Sequence, residues 1–364
     1  MTRLRIGLVH PFSWPEVRRG GERYLDDLTW YLASAGHDVD VITGTDGDPA
    51  VTEVHGARVR KLRHRVPGPL ARHNVGAIDT FGAVAYPVLL RHRYDVVHAF
   101  TPTAALAARL AGQRTVYTVL GHPTSDQFRA RPYYRRQVGL AVRTADVAAA
   151  LSRASAGAVE TLFGRRPVVL PPGVRLDRFP LAPAPRTGSP RILFSAALDN
   201  PVKGLDVLAA AFPLLRHDGS RLVLSGPGDH TWALDDGRVA YDALGTGALD
   251  DVPGRYRAAT VTALPSRNEA FGLALVESLA SGTPVVCGDD GGPPEIVDDP
   301  RTGRVVPCRD ERALANAIDA MIDAASDPDT PARCRERAAR WDWAGAVGPA
   351  HERLYAFVAS PRPR

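Results

Sequence analysis

The sequence predicts an α/β protein built from two Rossmann-like, doubly wound parallel-sheet domains facing a central cleft. Three observations carry that prediction. Short β-branched runs alternate with amphipathic stretches of helical period, which is the pattern of βαβ units. Near residue 180 the pattern is interrupted by PLAPAPRTGSP, four prolines in eleven residues, and then begins again. The chain of 364 residues is long enough for two separate cores.

The elements follow in order. RIGLV reads as the first strand, followed by a loop with Gly20 and Gly21 and the amphipathic helix ERYLDDLTWYLASAG. Gly36 stops that helix. DVDVIT, YDVVHAF, RTVYTV, DVAAAL and RPVVL continue the first sheet. After the linker come the strand RILFSAAL, the helix KGLDVLAAAFPLLR, the strand SRLVLS with its turn GPGD, and then VTALP, TPVVC and RVVP. The predicted domains are 1–180 and 181–343, with a last amphipathic helix, 344–364, packing back on the first domain. Ligands of such sheets bind beyond the carboxyl ends of the strands, so both domains aim their loops at the cleft.

Composition narrows the function. Apolar residues make up 45% and charged residues 23%, as in a soluble globular chain, and no apolar run nears the ~18 residues that span a bilayer. His10 and Pro11 break the first apolar stretch, so it reads as a strand rather than a signal peptide, and the expected location is the cytoplasm. Three scattered cysteines, Cys287, Cys308 and Cys334, support neither disulfides nor a zinc site. Residues 1–180 carry 25 basic against 15 acidic side chains, and HGARVRKLRHRVPGPLARH has six basic residues and no acid. Such a surface suits an anionic membrane face or an acidic substrate, or is simply solvated. No nucleic-acid motif accompanies it. A dinucleotide oxidoreductase is disfavoured, because no complete GxGxxG lies between a strand and a helix.

The chemistry concentrates in PSRNEAFGLALVESLASGTPVV. Here VTALP ends a strand, Gly272 marks the turn into LALVESLAS, and Gly282 and Pro284 end that helix. Glu269 then lies on the loop and Glu277 about a turn inside the helix. The amides of Phe271, Gly272 and Leu273 open the helix unpaired and form a seat for an anion. Carboxylates on either side grip hydroxyls, not phosphate. A diphosphate with a hydroxylated ring at each end, a nucleotide sugar, satisfies all three parts.

This stretch, with GGPPEIV and TGRVVP after it, resembles the retaining GT-B glycosyltransferases of family 4, whose signature is two glutamates separated by seven residues. RRGGERYLDDLTWYLASAGHDVDVIT, YDVVHAF, VVLPPGVRLDRF and LVLSGPGD fall at family positions, so the resemblance covers essentially the whole chain. It implies a donor nucleotide held by the second domain, an acceptor held by the first, no cofactor and no metal. DVD at Asp38 lies at a strand start, where its carboxylates are expected to face solvent. Lys203, one of two lysines against 43 arginines, matches the family's diphosphate-binding lysine. Glu269 would orient the sugar and Glu277 the nucleoside. Front-face attack is implied, with the leaving phosphate oxygen taking the acceptor's proton.

Two positions depart from the family pattern. Ala197 stands where an arginine is usual, and Arg267 is the candidate substitute. Leu120 stands where a histidine is usual, which leaves His122 and His98 as candidates for a catalytic histidine. Gly20, Gly21 and Gly226 are expected to let backbone approach the donor. The expected partners are a nucleotide-sugar donor and an acceptor that is a glycan, a lipid-linked sugar or a small metabolite. Peripheral contact with the inner face of a membrane is compatible with the basic first domain. The alternative is a catalytically degenerate nucleotide-sugar-binding or partner protein of the same fold.

Overall fold

The structure, a computed structural model, describes residues 3–66, 68–72, 75–181, 188–234, 239–246 and 251–360. It divides into two compact units, Met1–Gly173 with Ala346–Arg364, and Val174–Gly345. The border therefore falls a little before the proline-rich segment. Val174 pairs with Asp342, and Arg335 donates to the carbonyls of Leu176 and Phe179, which ties the start of the segment to the second unit. Residues 182–187 of the proline-rich linker lie outside the described residues.

Among the described residues the first unit is built on eight strands, β1 (Arg5–Val9), β2 (Asp38–Thr45), β3 (Ala50–Val54), β4 (Ala57–Arg63), β5 (Val96–Ala99), β6 (Thr115–Val119), β7 (Val147–Ala150) and β8 (Val168–Val169). Their order is β3-β4-β2-β1-β5-β6-β7-β8. All pairs are parallel except β3 with β4. That hairpin is absent from the sequence reading. Its turn is His55-Gly56, with φ of +55° and +79°, the geometry that a two-residue hairpin turn requires. The basic stretch after it is thus partly β4, which is paired on both sides, with β3 at the edge and with β2.

β2 brings a second correction. Asp40 of the DVD segment is 1% exposed and does not face solvent. It takes a hydrogen bond from the Tyr94 hydroxyl at 2.8 Å and faces Arg58 and Arg60 of β4. The pairing Asp40↔Arg58 across the β2–β4 ladder places those charges together. A carboxylate buried in this way must be paired.

The helix Gly348–Ala359 belongs to the first unit. Tyr24 donates to His351 at 2.7 Å, Tyr31 to Glu352 at 2.7 Å, and Arg114 to the Val358 carbonyl at 2.7 Å. Phe81, Leu89, Val97, Tyr117 and Val142 fill the core between this sheet and its helices.

Among the described residues the second unit has six strands, β9 (Arg191–Ser195), β10 (Arg221–Ser225), β11 (Tyr241–Ala243), β12 (Val261–Leu264), β13 (Val285–Gly288) and β14 (Gly303–Val306). They are parallel throughout, in the order β11-β10-β9-β12-β13-β14. The order reverses between β9 and β12, so the loops leaving these two neighbours diverge and open a crevice beyond their carboxyl ends. The β9 loop carries Lys203 and the β12 loop carries Glu269. The single helix expected over 203–216 is broken instead. Gly204, at φ +78°, separates a turn at Pro201–Lys203 from the helix Leu205–Ala211, and Pro213 follows in the turn Phe212–Leu214. No described helix is long and apolar enough to cross a membrane.

Candidate functional site

The β9 and β12 loops meet through backbone. A Cβ on Gly204 would lie 2.3 Å from the Pro265 carbonyl oxygen, so only glycine permits this approach. Arg267 N–H donates to the Val202 carbonyl at 2.8 Å, and the Arg267 guanidinium donates to the Pro201 carbonyl at 2.6 Å. Arg267, the candidate substitute for the missing arginine at Ala197, thus braces the turn that carries Lys203. The bracing delivers the Lys203 ammonium to Glu269, with Nζ 2.6 Å from Oε2.

Glu269 is fixed from its other side. Its carbonyl accepts the Gly292 amide at 2.8 Å, and the strand-like bridge Glu269↔Gly291 leaves no room for a Cβ on Gly291. Just before it, Asn268 sits at φ +58° and donates its amide to Asp290 at 2.9 Å. The GDDGG segment after β13 is therefore the backing of the signature loop, a role that its sequence alone does not disclose.

The helix behind the loop runs Leu273–Ala280. Gly272 opens it at φ +104°, and no side chain caps it. The first intrahelical bonds are from Leu275 and Val276 to the Gly272 carbonyl. The amides of Leu273 and Ala274 precede them and carry the positive end of the helix dipole. Phe271 is buried edge-on against Trp341, with ring centroids 6.2 Å apart, and this anchors the turn. Gly282, at φ +78°, follows the end of the helix at Ala280.

Glu277 is the fifth residue of this helix and is 8% exposed. The Tyr256 hydroxyl stands 3.0 Å from its Oε2 and 3.0 Å from Ser195 Oγ. One phenol proton serves one acceptor. It goes to the carboxylate, the stronger acceptor, and the Ser195 hydroxyl then donates to the phenol oxygen. Sequence reasoning missed Tyr256 because it lies outside the signature, on the preceding helix Val252–Ala258. Gly226 has a packing reason of its own. At φ +152°, a Cβ there would lie 1.8 Å from the Ala196 carbonyl oxygen.

The remaining sequence candidates lie in the first unit. Gly20 and Gly21 are not in the loop but are the first two residues of the helix Gly20–Ser34. A Cβ on Gly21 would meet the Leu120 side chain at 3.0 Å. The next residue, Glu22, is 4% exposed, and burial raises its carboxyl pKa. His122 is half-buried, with Nδ1 3.1 Å from Ser155 Oγ. His98 does not fit a catalytic role. It is 0% exposed and stacks on Phe100, and its two ring nitrogens lie 2.6 Å from the Tyr355 and Thr118 hydroxyls. Burial drives its pKa well below the ordinary value. It serves the internal packing of the sheet and the last helix.

With this geometry in place, the comparisons with known proteins are decisive. The family model described as glycosyltransferase family 4 matches residues 18–178, and that of glycosyl transferases group 1 matches residues 189–324. The chain is 30% identical to the GDP-mannose-dependent alpha-(1-6)-phosphatidylinositol monomannoside mannosyltransferase of Mycobacterium tuberculosis, covering 91% of this chain and 93% of that protein. It belongs to glycosyltransferase family 4. A second relative of this family 4 chain, the phosphatidyl-myo-inositol mannosyltransferase of Mycolicibacterium smegmatis, is 29% identical over 93% of this chain and 90% of that protein. In fold it matches sucrose-phosphate synthase from Thermosynechococcus elongatus with a TM-score of 0.82 and 23% identity, covering 98% of this chain and 100% of that one. The two Rossmann-like units are those of the GT-B fold, and the protein is a glycosyltransferase.

Proposed function

We propose that this glycosyltransferase is a retaining, metal-independent enzyme that moves a hexose from a nucleoside-diphosphate sugar to an inositol-containing lipid acceptor. GDP-mannose is the first donor to test, because two relatives along nearly the whole chain are named for mannosyl transfer and one for GDP-mannose. The observation that carries the reading is the convergence of the Lys203 ammonium, the uncapped helix at Leu273 and two held glutamates at the β9–β12 reversal.

Each group has one task in this reading. Lys203 and the amides of Leu273 and Ala274 stabilise charge on the departing diphosphate, which supports metal-independent catalysis. Glu277, oriented by Tyr256, grips the ribose hydroxyls. Glu269 exchanges its lysine partner for sugar hydroxyls once the diphosphate takes the ammonium. These are positioning roles. The bond from the anomeric carbon to the phosphate oxygen breaks while the bond to the acceptor oxygen forms on the same face. The acceptor's proton passes to the leaving phosphate oxygen. Gly20, Gly21, Glu22 and His122 are the acceptor-side candidates.

Ala197 favours one other reading, a donor-binding protein with little turnover, because a cation is missing from the diphosphate site. Release of nucleoside diphosphate from GDP-mannose, UDP-glucose and ADP-glucose, with and without phosphatidylinositol, separates the two. The anomeric coupling of the product reports retention, and an unchanged rate in EDTA reports metal independence. Donor binding without release would overturn the enzymatic mechanism and leave the binder.

A further inference from the structure

Of the five tryptophans, four are buried or half-buried, and only Trp232 is exposed, at 43%. It stands on the short helix Thr231–Leu234, in the connection that leaves the carboxyl end of β10. Its ring is held at the edge. The indole N–H donates to the Leu198 carbonyl at 2.9 Å and lies 3.1 Å from the Asp229 carbonyl. The first of these bonds crosses to the β9 loop, just past the carboxyl end of that strand.

The support beneath the ring is stiff. Leu198 N–H donates to the Pro227 carbonyl at 2.7 Å and Ala196 N–H to the Ser225 carbonyl at 3.0 Å, so the β9 and β10 loops are zipped together. A Cβ on Gly228, at φ +100°, would lie 2.6 Å from the Asp199 carboxyl carbon, which shows how closely the two loops pack. Asp229 accepts the Thr231 amide at 3.0 Å and fixes the turn into the short helix. A flat, apolar ring whose torsions are already set loses little freedom when a ligand lies on it.

The order of the strands decides what that ligand is. Lys203 and Glu269 meet between β9 and β12, where the diphosphate and the sugar are placed. Glu277 is linked through Tyr256 to Ser195 at the end of β9, where the ribose is placed. Ser195 pairs in register with Ser225 of β10, the neighbour of β9 on the side away from β12. A nucleotide sugar laid along these groups therefore directs its remaining part, the base, toward β10 and its loop. The sugar is held on the opposite side of β9 and does not reach the ring.

We propose that the exposed face of Trp232 is the stacking platform for the donor's nucleobase. The proposal rests on the nucleotide-sugar reading and assigns the part of the donor that the glutamates and the lysine leave unheld. Every base has a π-face, so the platform supplies affinity for a base and leaves the choice among bases to other groups.

The test is calorimetric titration of the full chain with GDP, ADP, UDP and inorganic pyrophosphate, with melting temperatures as the control for folding. Trp232→Ala should weaken the tightest-bound nucleoside diphosphate by about 5- to 150-fold, the range for losing one stacked base, and leave pyrophosphate unchanged. Trp232→Phe keeps a ring and loses the N–H, and should recover most of that affinity. The bound base should also quench indole emission in the wild type, and this quench should disappear in Trp232→Phe although binding persists. Equal losses for the nucleoside diphosphate and pyrophosphate, or a Phe variant as weak as the Ala variant, would mean that the indole only braces the β9 loop and would overturn the proposal. A wild type that binds pyrophosphate as tightly as every nucleoside diphosphate sinks the platform and leaves the diphosphate seat standing. A wild type that binds none of the four sinks the donor reading itself, and the platform with it.

Discussion

Replacing Lys203 by alanine tests the diphosphate site directly. The ammonium lies 2.6 Å from Glu269, and the two side chains are 26% and 15% exposed. A pair so placed contributes only about 1 kcal/mol to folding after solvent screening. The melting temperature should therefore fall by no more than about 2–4 °C. Catalysis should respond far more strongly. Loss of a charged donor to a developing anion in a desolvated site costs about 2–4 kcal/mol of transition-state stabilisation. At 1.36 kcal/mol per tenfold, kcat should drop by about 30- to 900-fold. The assay is steady-state release of nucleoside diphosphate, read beside thermal unfolding of the same samples. Glu269→Gln provides the control, because it frees the lysine without removing it. Affinity for the free nucleoside diphosphate should weaken in Lys203→Ala and be kept or improved in Glu269→Gln. A folded Lys203→Ala variant with kcat within twofold of wild type would refute the assignment.

Other perturbations follow from the same geometry. Tyr256→Phe removes the phenol that holds Glu277 and should raise the donor KM by about 10- to 150-fold, for a charged hydrogen bond of ~1.5–3 kcal/mol, with kcat nearly unchanged. An unchanged KM would mean that Tyr256 does not orient Glu277. Gly272→Ala forces a side chain to φ +104° and should destabilise by ~1–2 kcal/mol in urea unfolding while weakening donor binding. Acid should unfold the first unit. Burial lowers His10 and His351 from 6.5 to about 4, so the unfolded chain takes up protons that the folded chain refuses. Their stabilisation is complete above about pH 6.5 and is lost as pH falls toward about 4. A melting temperature that stays flat through that window would refute the buried neutral histidines.

The sequence displays the parts of this molecule that local chemistry decides. β1 follows RIGLV residue for residue, because β-branched residues between turn formers leave the backbone little choice. Gly272 and Gly282 mark the signature helix ends for the same local reason. What stays hidden depends on partners distant in sequence. Asp40 appears solvent-facing until Tyr94, fifty-four residues on, closes over it. His98 appears catalytic until the last helix supplies Tyr355. Tyr256 and Asp290 carry no motif and become meaningful only where the fold sets them against Glu277 and Asn268. The hairpin at His55-Gly56 is carried by a turn of positive φ that sits among arginines, whose charge is the louder feature of that stretch.

The threading of the chain has a practical consequence for dissecting the protein. Val174–Gly345 is a continuous stretch that can be excised in one piece, whereas its companion is assembled from both termini. A fragment ending at Gly173 would lack His351, Glu352 and Tyr355, leaving Tyr24, Tyr31 and His98 without the groups that now satisfy them. Trimming the tail to tidy an expression clone would thus injure the amino-terminal half, not the neighbouring carboxyl-terminal sequence. Rejoining the two pieces through a short linker should restore it.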